Sequence, residues 1–260
     1  MFSVRARDIV GALEADGIFL GLDLPGEVVS GVLKFAHATR CFGNHDRRLD
    51  RFPAEHFKSK NSKNPLTSAH YFERIRACAE VRKIRNDPLL AEVARCYLGA
   101  RARVISTRLF WSVPGVAPEK STPREMLHFD LDDWRMLKFF FYMTNVDEGS
   151  GPHIFARGTH RGRLLKHQLS LTVGRPLDEI AEVYGADRIL HVTGPAGTGF
   201  AEDPFGYHAG SLSKTTPRLL LEIGFGINMA NRRRFYGERV LSPSPRRRRA
   251  VFASRRRARA

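Results

Sequence analysis

In MLHFDLDD, residues 126–133, a histidine and an aspartate stand two positions apart, just before a run of hydrophobic residues. On a strand, side chains at i and i+2 leave the same face, so His128 and Asp130 would stand side by side with Phe129 turned away. A pair so placed could share one metal ion. A third ligand must then come from elsewhere, and the candidate is His208 in DPFGYHAGSLSKTTPR, just past the strand-like GTGFAE, with Arg218 ten positions further on. Two histidines and one carboxylate on one face of an ion are the ligand set of non-heme Fe(II) oxygenases, and they leave three adjacent coordination positions open. A 2-oxo acid can fill two of these through its carboxylate and keto oxygens, and dioxygen the last. The planar guanidinium of Arg218 could then grip the far carboxylate of 2-oxoglutarate through two charge-assisted hydrogen bonds. Each feature alone has a plainer reading, a hydrogen-bonded His–Asp pair or a surface cation. Their order, on strand-like segments, jointly favours the metal.

Elements able to position these residues are legible on either side. Residues 8–15, DIVGALEA, suggest a helix capped by Asp8 and stopped before Gly17, and PGEVVSGVLKFAHA from Pro25 suggests a second, with the short strand-like DGIFLGLDL between them. Residues 40–85 are charged and irregular around Phe52, Phe57, Tyr71 and Phe72, as expected of a binding mouth. There Arg47, Arg48, Lys58, Lys60 and Lys63 could welcome an anionic group such as a carboxylate or phosphopantetheine. Asp87 and Pro88 open a further helix with an apolar face of Leu89, Leu90, Val93, Ala94, Tyr97 and Leu98, and Gly99 stops it.

After Gly99 the period changes. ARVISTRLFWSV, RMLKFFFYMTNV, HIFA, RILHVTG, GTGFAE and RLLLEIGFGI are β-branched or aromatic runs separated by Gly, Pro, Asn and Asp, and only RPLDEIAEVYG, residues 175–185, interrupts with a short helix. Helices followed by six or more strands define a mainly β core with helical decoration. Within RMLKFFFYMTNV, Lys138, Phe140, Tyr142 and Thr144 share one face. A lysine on an aromatic face needs an anionic partner, either the co-substrate carboxylate or a nearby Asp or Glu. Lys138 and Thr144 therefore stand as candidate co-substrate contacts beside Arg218.

The net charge of +16 is unevenly placed: from Arg232 onward there are twelve arginines against one acid, Glu238, which leaves the body only mildly basic. SPSPRRRRAVFASRRRARA holds too few apolar residues to fold and is expected to be a disordered tail, either solvated or in weak contact with nucleic acid, anionic lipid or an acidic partner. No apolar stretch reaches the roughly 20 residues needed to span a bilayer. The opening MFSVRARDIVGALEADG carries Arg5, Asp8 and Glu14 where a signal peptide needs an apolar core, so a cytoplasmic location is expected. Cys41, Cys78 and Cys96, odd in number and unpaired in spacing, argue against disulfides and a cysteine zinc site and are expected to be buried or inert thiols.

HFD, then LKFFFYMTNVDEGSGPHIFARGTHR, then His208 and Arg218, resembles the phytanoyl-CoA dioxygenase-like family of Fe(II)/2-oxoglutarate oxygenases, and ALEADGIFLGLDLPGEVVSGVLKFA resembles its opening segment. The resemblance spans most of residues 8–230. It implies a double-stranded β-helix, the jelly-roll architecture shared with cupins. It also implies iron roles for His128, Asp130 and His208, a co-substrate salt bridge for Arg218, a polar contact to 2-oxoglutarate for Lys138, and a structural turn role for His160. Two departures stand out: His153 replaces the family's usual Leu after GP, and ARGTH replaces PGSH. His153 is expected to sit in a solvated turn, the alternative being a pocket-facing residue that touches substrate.

The expected organisation is one domain over 1–235, with a helical part at 1–100 and a β-helix core at 101–230, followed by the basic tail at 236–260. The expected activity is Fe(II)- and 2-oxoglutarate-dependent hydroxylation of a small or carrier-linked substrate, releasing succinate and carbon dioxide. Desaturation or ring closure remains open, and halogenation is disfavoured because a carboxylate, not a small residue, stands at 130. The rivals are a catalytically silent β-helix that binds through its tail, and a zinc hydrolase using the same three ligands.

Overall fold

The computed structural model describes residues 1–57, 66–114, 126–168 and 174–228, so Lys58, Lys60, Lys63 and the arginine-rich tail lie outside the described residues. The helices are α1 (Ala6–Asp16), α2 (Gly26–Ala38), α3 (Pro53–Phe57), α4 (Ala79–Arg85), α5 (Pro88–Leu98), α6 (Leu165–Gln168) and α7 (Leu177–Tyr184). Asp8 does not cap α1; it lies in the first turn beside Arg5, 2.8 Å away. An acid is favourable at either place because the helix N-terminus is positive, so the sequence pattern cannot tell them apart. The other helix ends follow expectation. Gly17 takes a left-handed φ of 79° and returns its N–H to Leu13 O, and the Asp87 carboxylate accepts the Leu89 N–H at 2.9 Å ahead of Pro88.

The strands are β1 (Ile18–Leu20), β2 (Cys41–Gly43), β3 (Asp50–Arg51), β4 (Ser68–His70), β5 (Arg103–Ser112), β6 (Met126–Leu127), β7 (Met136–Tyr142), β8 (His153–Ala156), β9 (Arg175–Pro176), β10 (Ile189–Val192), β11 (Gly199–Glu202), β12 (His208–Gly210) and β13 (Arg218–Gly226). Eight form a major sheet in the order β1-β11-β7-β13-β5-β4-β2-β3, and three form a minor sheet, β10-β8-β12. The stretch expected to be irregular thus contributes three strands and two helices. Those strands are only two or three residues long, too short to show a period.

Alternation on β5, β7 and β13 sorts the molecule into layers. Leu109, Trp111, Phe139, Phe141, Leu219, Leu221 and Ile223 point to one side and pack with the apolar faces of α1, α2 and α5. Each large side chain buried this way contributes about 1.5–3 kcal/mol. Their neighbours Phe110, Phe140, Tyr142 and Leu220 point to the other side, where Phe155 and Val192 of the minor sheet meet them. Ile154 and Ala156, on the outer face of the minor sheet, pack on Ile180 of α7. All seven residues of β7 are buried because it runs mid-sheet with both faces covered. Two sheets enclosing a common interior, with helices outside, make this a double-stranded β-helix, a jelly roll of the cupin type. Among the described residues no helix is long and apolar enough to cross a membrane. Cys41 and Cys78 are buried; Cys96 is exposed, so not all three thiols lie inside.

Candidate metal and co-substrate site

His128 follows β6 and pairs with the first residue of β12: its N–H donates to His208 O at 2.8 Å, and the His208 N–H returns to His128 O at 2.7 Å. This bridge brings the two imidazoles to 4.6 Å between ring centres. Past the bridge the chain leaves the strand, and the Asp130 N–H donates to Pro204 O at 2.8 Å. The alternation expected from the sequence still holds, since His128 and Asp130 line the cavity while Leu127 and Phe129 pack away from it with Ile180 and Tyr207. Asp130 Oδ1 lies 3.8 Å from the Nε2 of each histidine, and the three candidate ligand atoms fall within 4.8 Å of one another.

Protonation suits a cation. Burial lowers the pKa of both imidazoles, and His208 Nδ1 lies 3.0 Å from Gly206 O, which makes Nδ1 the donor and leaves Nε2 as the lone pair facing Asp130. Burial on its own would raise the Asp130 carboxyl, but the Lys138 ammonium together with His208 and His128 outweighs it, and the pKa falls below the usual carboxylate range. Lys138 Nζ donates to Asp130 Oδ2, the oxygen turned away from the histidines. Two neutral imidazole nitrogens and one anionic oxygen converging on a point of the cavity fit a divalent first-row metal.

Arg218 opens β13 and is 3% exposed. Its Nη1 donates to Gly151 O and its Nη2 to Ser112 Oγ at 3.0 Å. Gly151 has φ 76°, and a Cβ there would come within 2.6 Å of Ser211 O, so the turn that supplies this carbonyl requires glycine. The triad, Lys138 and Arg218 all line one cavity of about 1290 Å³, whose inner wall includes Phe140 and Leu220. A buried guanidinium beside the metal ligands fits the far carboxylate of a 2-oxo diacid.

Thr144 is placed differently from Lys138. Its hydroxyl accepts the Leu219 N–H at 3.1 Å and it does not line the cavity; the strand ends at Tyr142, so face alternation no longer directs its side chain inward. The turn expectation for His153 is overturned. The residue opens β8, is 4% exposed and lines the cavity, because GP ends the turn one residue earlier. Its Nε2 lies 2.6 Å from Glu202 Oε2, and its ring stacks 5.7 Å from that of His208. Burial pushes His153 down to about 3 and Glu202 up to about 7, so both groups of this pair are driven toward their neutral forms. His160 packs on Gly17 and does not line the cavity.

Two acids and a wall of rings were missed in the sequence. Glu202 faces Lys138 across the β11–β7 register, and Glu222, 3% exposed, holds Arg108 at 3.2 Å and Ser106 Oγ at 3.3 Å. Glu222 sits in RLLLEIGFGI, where its even spacing from Arg218 was the available signal. At the mouth, His45, His70, Phe72 and Phe110 line the cavity. Among the described residues the non-glycines with positive φ are Asn44 (46°), His45 (61°) and Phe72 (45°), all at this mouth. Such backbone costs an ordinary L-residue about 1–2 kcal/mol. Asn44 Oδ1 offsets part of this by accepting the Thr67 N–H at 2.9 Å and the Ser68 N–H at 3.3 Å. Of the basic residues expected at the mouth, Arg47 grips Glu73 at 2.7 and 2.8 Å, Arg48, which does not line the cavity, pairs with Asp46, and Lys58, Lys60 and Lys63 lie outside the described residues.

Comparison with known proteins agrees with the architecture. No protein-family model matches the chain, and no curated protein matches it by sequence. Among solved structures it is similar to EctD from S. alaskensis with bound Fe (22% identity, 86% of this chain and 77% of that one, TM-score 0.57). It is also similar to the epimerase SnoN in complex with Fe3+, alpha-ketoglutarate and nogalamycin RO (17% identity, 85% and 83%, TM-score 0.57). HygX from Streptomyces hygroscopicus, with nickel and 2-oxoglutarate bound, gives 13% identity, 85% and 86%, and a TM-score of 0.55. At these identities the likeness establishes the fold, and the site is argued from this chain's own residues.

Proposed function

We propose that the protein is a non-heme Fe(II)- and 2-oxoglutarate-dependent dioxygenase of the phytanoyl-CoA dioxygenase-like kind. It hydroxylates an unactivated carbon of a small or carrier-linked substrate and releases succinate and carbon dioxide. The observation that carries this is the convergence of His128, Asp130 and His208 in a cavity that also holds the buried Arg218. Iron, 2-oxoglutarate or both in the similar EctD, SnoN and HygX structures supports the same reading.

The two histidines would hold the metal through Nε2 and Asp130 through Oδ1. Bound iron with 2-oxoglutarate and dioxygen supplies an oxidant strong enough to attack an unactivated C–H bond. The chain supplies position and dryness. Lys138 occupies Asp130 Oδ2, which favours one-oxygen ligation and leaves the neighbouring coordination positions open. Arg218, fixed by Gly151 O and Ser112 Oγ, would orient the co-substrate by its far carboxylate, and Phe140 and Leu220 keep water from that side. Cysteine usage suggests that the protein works in the reducing cytoplasm.

The test is anaerobic titration of Fe(II)-loaded protein with 2-oxoglutarate, followed by the weak visible charge-transfer band. The band should grow with co-substrate and vanish in His208→Ala. No band from folded, iron-loaded protein overturns the proposal, and activity with zinc and without dioxygen would mark a hydrolase instead.

A further inference from the structure

We propose that the substrate of this site presents a planar aromatic or heteroaromatic ring, which docks on the wall formed by His70, Phe72 and Phe110. The proposal deepens the oxygenase reading and rests on it for the reaction, but not for the docking.

The wall is assembled from separate segments into nearly one orientation. His70 of β4, 4% exposed and fixed by Ser68 Oγ at 3.0 Å, stacks on Phe110 of β5 (5.2 Å between centres, 18°) and on Phe72 (5.7 Å, 16°). His45 covers it from the turn after β2 at 3.7 Å. Two of these four rings are carried on left-handed backbone, and strain of this kind persists where a site needs a side chain held in place. Phe72 and Phe110 are only half-buried and line the cavity, so part of their ring surface is offered to its contents.

Charge does not explain the wall. The guanidinium of Arg47 lies 5.2 Å from the centre of Phe72 and is matched by Glu73; that of Arg108 lies 5.2 Å from the centre of Phe110 and is matched by Glu222. His70 and the two guanidiniums already lie against Phe72 and Phe110, so what reaches the cavity is the half-buried remainder of these two rings, which pairs with another aromatic ring edge-to-face or offset.

The register also places the wall where a substrate would be useful. Phe110 pairs with Leu220, and Ser112, two residues on, pairs with Arg218. Phe110 and Arg218 are therefore diagonal neighbours on one sheet face, with backbones roughly 7–8 Å apart. A ring on Phe110 would lie beside the co-substrate end of the cavity.

The test uses the full chain without added metal or co-substrate and two neutral probes, 2-naphthylmethanol and its fully saturated decalin counterpart. Affinities come from NMR titration with labelled histidine and phenylalanine side chains. The naphthyl probe should bind roughly 2- to 10-fold more tightly, the range that an aromatic pair contributes beyond burial. It should also place ring-current shifts on His70 and Phe110, and the preference should disappear in Phe110→Leu and in Phe72→Leu. Two variants on different segments guard against one failing to fold, which near-UV circular dichroism would reveal. Apolar burial alone gives the saturated probe equal or tighter binding, so that result overturns the proposal, as does a preference that survives in both folded variants. The charge-transfer titration on the same preparation keeps the two readings apart: a missing band sinks the iron centre, whereas equal probe affinities with the band intact sink the ring wall.

Discussion

Replacing Lys138 with Met keeps an unbranched side chain of similar length and removes the ammonium that faces Asp130. The two side chains are 7% and 16% exposed, so the pair is buried and solvent screens it little. Removing one partner of a buried pair leaves an uncompensated charge and costs about 3–5 kcal/mol. For a folded body of this size that corresponds to a drop in Tm of roughly 6–20 °C. A divalent cation at the triad supplies part of the lost positive charge, so Co(II) or Zn(II) should raise the Tm of Lys138→Met by more than it raises that of the wild type. Differential scanning calorimetry with and without metal measures both quantities. In the metal-free protein, Lys138→Met combined with Asp130→Asn should be less destabilised than the sum of the single variants, because neither charge is then left alone. If Lys138→Met without metal melts within about 2 °C of the wild type, well below the range for a broken buried pair, or if the two substitutions are additive, the ion pair does not hold the carboxylate and the account of one-oxygen ligation fails.

Arg218→Lys keeps the charge but loses the fork that meets Gly151 O, Ser112 Oγ and a carboxylate. Its Kd for 2-oxoglutarate on Zn(II)-loaded protein should rise about 10- to 100-fold by calorimetry, the worth of one or two hydrogen bonds to a charged group. Glu202→Gln should flatten the stability–pH curve. The wild-type carboxyl has a folded pKa of about 7 against an ordinary 4.5, so its contribution is present below about 4.5 and lost as pH rises through about 7. Chemical denaturation across that window should show the wild type losing more stability than the variant; parallel curves would mean that Glu202 is not held neutral. Asp87→Ala removes the α5 cap and its contact with the N-terminal amine at 3.4 Å, and should cost about 1 kcal/mol, or roughly 2–4 °C in Tm.

Helices and long strands are legible along the chain wherever a period runs far enough: α2 and α5 from their apolar faces, β5 and β13 from their β-branched and aromatic runs. The sequence also singles out the chemistry-bearing residues, because a His-x-Asp pair with a distant His and Arg is a pattern of residue types, and types are what a sequence states. Which atoms face which depends on the packing of distant segments. The sequence left the partner of Lys138 open between co-substrate and a carboxylate; the fold puts Asp130 Oδ2 against it. Thr144 lies beyond the end of its strand and so escapes the alternation that would aim it inward, whereas His153 begins a strand one residue after its turn and is carried inside. Glu202, Glu222 and the ring wall depend on antiparallel register between segments far apart in the chain, as in the alignment of His70 with Phe110 and of Glu222 with Arg108. Register is set when strands choose partners and bury a common face, and no local pattern encodes that choice.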